Sequence, residues 1–128
     1  MMALTPTQRD ATQQVGQLYL RFGFPDRAAT LFAALNILEP REPEHLRALA
    51  LAQHLAGKPK LALAALDELV LIGAIDTPFH SLRALVLSDL GREDESRAAM
   101  RAYLEAREAE LPKVRKAGGR KAAVGSTR

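Results

Sequence analysis

The chain has 128 residues, no cysteine, no tryptophan and 5% aromatics, a composition that excludes disulfides, thiolate metal sites and cysteine nucleophiles. No apolar run reaches the roughly 18 residues of a membrane-spanning helix, and residues 1–10 lack the basic stretch and apolar core of a secretory signal, so a cytoplasmic protein is expected. The net charge of +3 is uneven: residues 113–128 hold six basic side chains and no acid, leaving 12 basic and 15 acidic residues in 1–112, so the pI near 9.6 argues only weakly for nucleic-acid binding.

Thr5-Pro6 reads as an N-cap followed by a first-turn proline and opens a helix over 6–22. Gly23 ends it, because glycine enters the left-handed backbone at a helix C-terminus without strain. Pro25 opens a second helix, 25–38, where a missing N–H does no harm. A third spans 43–56 and stops at Gly57; Pro59 opens the fourth, 59–72. Thr77-Pro78 repeats the cap-and-proline signal and opens the fifth, 77–90, closed by Gly91. The sixth, 93–111, is long and charged and ends at Pro112. Beyond it, Gly118-Gly119 and Gly125-Ser126 mark a flexible, disordered basic tail over 113–128.

The three turn glycines are 34 residues apart, and so are Gly16, Ala50 and Ala84 within the first helix of each pair. Ala28, Ala62 and Ser96 keep the same interval in the second helix. This is the period of tetratricopeptide repeats, whose small residues let two helices approach closely. An unrelated six-helix bundle with coincident glycines is the alternative. The expected fold is all-α: three tetratricopeptide-like helix–turn–helix repeats in a right-handed superhelical stack, with the basic tail appended. The repeat domain covers 1–112, with repeats at about 9–42, 43–76 and 77–111.

Stacked hairpins curve around a concave surface lined by the first helix of each pair. The pattern projects Gln13, Gln17 and Leu20 onto it, then Arg47, Leu51 and His54, then Ser81, Leu85 and Ser88. A leucine strip with polar flanks suits an extended segment or an amphipathic helix of a protein partner. A carboxylate clamp built from Lys and Asn is not expected, since its slots hold Gln13, Gln14, Gln17, Arg47, Ala48 and Leu51. Three repeats are near the minimum for stability, so a partner is expected to cover exposed apolar surface and raise the melting temperature.

No enzyme, metal or cofactor is expected. His45, His54 and His80 lack helical metal-pair spacing and read as surface or groove histidines. Ser81, His80 and Asp76 form a triad only on paper, with no nucleophile elbow. The tail offers Lys113, Arg115, Lys116, Arg120 and Lys121 to phosphates, but no interleaved aromatic supports base stacking, so nucleic acid is not the expected partner.

Over residues 5–108 the chain resembles the small tetratricopeptide chaperones of bacterial type III secretion, most closely the YscY-like group. The resemblance rests on Thr5-x-x-Gln8-Arg9, Gly16-Gln17-Leu18-Tyr19-Leu20, Arg27-Ala28-x-x-Leu31-Phe32-x-Ala34-Leu35 and Arg97-Ala98-x-x-x-Ala102-Tyr103-x-x-x-Arg107. The basic tail departs from the short ending of that group. The resemblance implies a cytoplasmic chaperone without ATPase activity that holds a small secreted, YscX-like export component. It also implies contact with the cytoplasmic domain of the export gate, and through it peripheral association with the inner membrane. By the same analogy the concave residues above bear the cargo. A needle-subunit chaperone and a general scaffold unrelated to secretion share the architecture.

Overall fold

The computed structural model describes residues 3–112; the expected tail, 113–128, lies outside the described residues. Six helices follow in chain order: α1 (Pro6–Arg21), α2 (Pro25–Leu38), α3 (Pro43–Leu55), α4 (Pro59–Leu71), α5 (Thr77–Asp89) and α6 (Glu93–Glu110). No strand occurs among the described residues. The fold is therefore all-α. Most helices end one residue earlier than expected, because that last residue serves as the C-cap.

Local chemistry sets these boundaries. Thr5 caps α1 reciprocally: its hydroxyl accepts from the Gln8 N–H, and the Gln8 side chain accepts from the Thr5 N–H, both at 3.0 Å. Prolines occupy the first turn of α1 to α5. Within each hairpin the turn glycine is left-handed, with φ of +85° at Gly23, +75° at Gly57 and +76° at Gly91. The next N–H then reaches back five residues, from Phe24 to Tyr19 C=O, from Lys58 to Gln53 C=O and from Arg92 to Leu87 C=O. The same device closes α4 at Gly73, which the repeat pattern did not single out. One expectation is corrected: Asp76, not Thr77, caps α5. The Asp76 carboxylate accepts from the Phe79 N–H at 3.1 Å, while Thr77 is the first helical residue and its hydroxyl donates to Glu110 on α6.

Each helix packs on its successor, and α3 also touches α5 across the fourth helix's hairpin boundary. Ion pairs give the directions. Arg47 near the start of α3 meets Asp76 at the start of α5 (2.9 Å), and His54 near the end of α3 meets Asp89 at the end of α5 (3.2 Å). These two helices therefore run parallel. Lys58, capping α4, reaches Asp26 at the start of α2 (3.1 Å), so the ends of α2 and α4 match in the same sense. Such packing is consistent with a stack of helical hairpins.

The core runs along the stack in three linked clusters. Ala28, Phe32, Leu35 and Ala52 join α1, α2 and α3. Leu46, Ala50, Ala62, Leu66, Leu69, Phe79 and Val86 join α3, α4 and α5. Ala84, Leu87 and Ala99 close α5 on α6. Burying each large apolar side chain contributes about 1.5–3 kcal/mol. The small residues sit where helices come closest. A Cβ on Gly16 would lie 2.5 Å from Cζ of Phe32, whose ring is buried and hemmed in. In the third hairpin the Ser96 hydroxyl donates to the Ala84 carbonyl at 2.7 Å, possible only because both residues are small.

Gly16→Ala is expected to destabilise the chain by about 1–3 kcal/mol in urea unfolding, the usual effect of overpacking. Phe32→Leu in the same chain should recover part of that loss, giving a non-additive pair. Additive effects would show that the contact does not set the helix separation.

Candidate protein-binding cleft

The N-terminal end of the inner face is held by a polar network rather than by apolar contact. Glu39, in the turn after α2, accepts a two-pronged ion pair from Arg9 on α1, with Nε–Oε1 at 2.8 Å and Nη2–Oε2 at 2.7 Å. The same carboxylate meets Nε2 of His45 on α3 at 2.9 Å, and Nδ1 of that ring lies 3.4 Å from the Gln13 amide nitrogen on α1. His45 is 1% exposed, which corrects its reading as a surface or groove residue. Position three of α3 turns inward beneath α1, and a buried imidazole there finds a partner at each nitrogen. Hydrogen bonding to Arg9, then to His45, holds the Glu39 carboxyl at about 2, well below the ordinary 4.5.

Alongside this network an open cleft of about 760 Å³ lies between α1 and α3. Leu18, Ala48 and Leu51 form its apolar surface, with the buried Phe32 ring at its floor, and Gln13, Gln14 and Gln17 form its polar flank. Its charges are polarised. Asp10 and Glu44 line it alongside the network, and Arg21 lines the far end of α1. Arg47 also lines it, but its guanidinium is engaged by Asp76. The cleft thus has an apolar middle, an acidic end and a single basic side chain opposite.

Of the nine residues projected onto one concave surface, Gln13, Gln17, Arg47 and Leu51 line this cleft together. The other five do not. Leu20 packs against the cluster around Ala28, Phe32 and Ala52. His54 is turned to Asp89 between α3 and α5. On α5, Leu85 is 51% exposed and Ser88 is exposed, while the Ser81 hydroxyl bonds back to the Pro78 carbonyl at 3.0 Å. The projection missed Asp10, Leu18 and Arg21 on α1 and Glu44 on α3. Those on α1 were accessible to it: Asp10, Gln14, Gln17 and Arg21 recur at helical spacing on one face, adjacent to Leu18. All six slots examined for a carboxylate clamp do line the cleft, with Arg47 as their sole cation.

The paper triad does not converge. Asp76 is committed to the Phe79 N–H and to Arg47, Ser81 to the Pro78 carbonyl, and the His80 ring packs edge-on against Phe79. No group of three potential ligands that could hold a metal occurs among the described residues. Among the same residues no helix is long and apolar enough to cross a membrane. No protein-family model matches the chain, and no curated protein matches it.

The network makes stability depend on pH. Because the folded carboxyl of Glu39 titrates at about 2 and an unconstrained one at 4.5, the unfolded chain takes up a proton first as acid is added. Its stabilising effect is therefore complete above 4.5 and is lost as the pH falls toward about 2. Glu39→Gln should lower the melting temperature at neutral pH and flatten its decline across that interval, as followed by circular dichroism. Parallel curves for the two proteins would sever Glu39 from the acid response.

Proposed function

We propose that the chain is a protein-binding module of three tetratricopeptide-like repeats, stacked as a right-handed superhelix, that holds an apolar segment of a partner in the α1–α3 cleft. The observation that carries this reading is the cleft itself: Leu18, Ala48 and Leu51 form an apolar strip over the buried Phe32 ring, flanked by glutamines. The 34-residue recurrence of turn glycines, each left-handed, supports the repeat assignment. The side chains around the cleft offer anchoring and hydrogen bonding, and Glu39, His45 and Arg47 beside it are held by polar partners, which favours binding over catalysis.

The resemblance to YscY-like chaperones gives the partner its proposed character. It would be a small secreted export component whose amphipathic helix aggregates when free, handed on at the cytoplasmic domain of the export gate. A short three-hairpin module with exposed Leu18, Leu51 and Phe22 has apolar surface for such a helix to cover. Binding to the folded state alone then raises stability by mass action.

The test is capture from the native cell with tagged wild-type, Leu51→Asp and Leu85→Asp chains, followed by mass spectrometry. Wild type and Leu85→Asp should retain the same small secreted protein, and Leu51→Asp should lose it by about tenfold or more, as expected for a buried anchor. Circular dichroism should show all three folded, since Leu51 is 38% exposed. Loss of the fold in Leu51→Asp would make that residue core and remove it from the cleft, and equal capture by all three would place binding elsewhere.

A further inference from the structure

The basic residues 113–128 find no use in the reading above, yet the point from which they start is fixed by the end of α6. Glu110, two residues before Pro112, is hydrogen-bonded by Thr77 at the start of α5. The neighbouring Asp76 pairs with Arg47 on α3 at 2.9 Å. Arg47 and Glu44 share one face of α3 and both line the cleft. The chain therefore leaves α6 two contacts away from the acidic end of the α1–α3 cleft.

Charge supplies the second argument. Residues 1–112 carry 12 basic and 15 acidic side chains, while 113–128 carry six basic and no acidic ones. At the acidic end of the cleft the nearby cations are already engaged, Arg9 by Glu39 and Arg47 by Asp76. Asp10 and Glu44 line the cleft there and make no ion pair among the described residues. Arg21, at the opposite end, repels a basic segment and so favours the acidic end. Length is ample, because 16 residues extend to about 50 Å, several times the width of a helix. Exposed ion pairs are individually weak, but a tethered segment meets its site at an effective concentration in the millimolar range.

We propose that residues 113–128 occupy the acidic end of the α1–α3 cleft of the same chain, their lysines and arginines pairing with Asp10 and Glu44, and that a binding partner must displace them. As regulation of the cleft this rests on the protein-binding reading; as an intramolecular contact it can be measured without any partner. Its failure would leave the capture assay untouched, and failure of capture would leave the contact measurable.

The absence of native cysteine allows a nitroxide spin label at Ala122→Cys in the full chain. At low salt the label should broaden the amide resonances of Gln13, Gln14 and Ala48, at the acidic end, more than those of Leu18 and Arg21. The broadening should vanish at about 1 M salt, where the screening length falls to about 3 Å, and in the Asp10→Lys, Glu44→Lys double variant. Adding Lys113→Glu, Arg115→Glu and Lys116→Glu to that variant should restore it. Broadening that is absent, spread evenly, centred on Asp67 and Glu68, or insensitive to the charge changes would overturn the proposal. So would broadening in a mixture where the spin label and the isotope reside on different chains, because the contact would then be intermolecular.

Discussion

Every hairpin in this protein closes over a residue too small to hold its two helices apart. Gly16 lies where any side chain would strike the Phe32 ring, Ala50 is sealed between α3 and α4, and Ala84 receives the Ser96 hydroxyl on its carbonyl. Close approach at these points brings the flanking leucines into contact and fixes how each pair presents itself to the next. A larger residue at any of the three would tilt one hairpin and shift every element stacked beyond it, since interiors packed to this density do not absorb displacement locally.

Between hairpins the joints are different in kind. Lys58 with Asp26, Arg47 with Asp76, and His54 with Asp89 link residues some thirty positions apart. Such contacts contribute little free energy each, but Arg47–Asp76 near one end of α3 and α5 and His54–Asp89 near the other are both met in only one sliding register. Apolar packing thus stabilises the hairpins, and charge pairing selects how they align. The Arg9–Glu39–His45 network is the exception, being partly buried and joining α1 to the body through a single carboxylate. It ties the start of α1 to the α2–α3 turn and to α3, and α1 rests on the Phe32 ring at Gly16, beside the cleft.

An apolar channel with one acidic and one basic end is a device for orienting a chain segment, whether that segment belongs to a partner or to the protein itself. The same polarity that would align a bound helix also decides which end a basic segment of this chain can approach. On the reading proposed above, recognition and its regulation are properties of one surface, set by which charges the fold has already neutralised and which it has left open.

The helix boundaries, the turn glycines and the small-residue positions were legible in the sequence because each acts within a few residues. Proline at a first turn, a capping Thr5, and a left-handed Gly23 are local facts of sterics and hydrogen bonding. Even there, neighbours competed: Asp76 displaced Thr77 as cap because its carboxylate reaches the Phe79 amide while Thr77 turns to α6. The candidate site was legible only by half. Successive residues on a helix point about 100° apart, so a projection slightly off in rotation put Leu20 in the groove and left out Leu18, although the polar spacing of Asp10, Gln14, Gln17 and Arg21 marks the face beside Leu18. His45 was misplaced for the same reason, since its burial follows from how α1 lies across α3. The sequence by itself determined six helices and their pairing, through short-range backbone chemistry. Only the tertiary structure decided where the α1–α3 cleft lies and which charges remain open there, because both depend on contacts between residues some thirty positions apart.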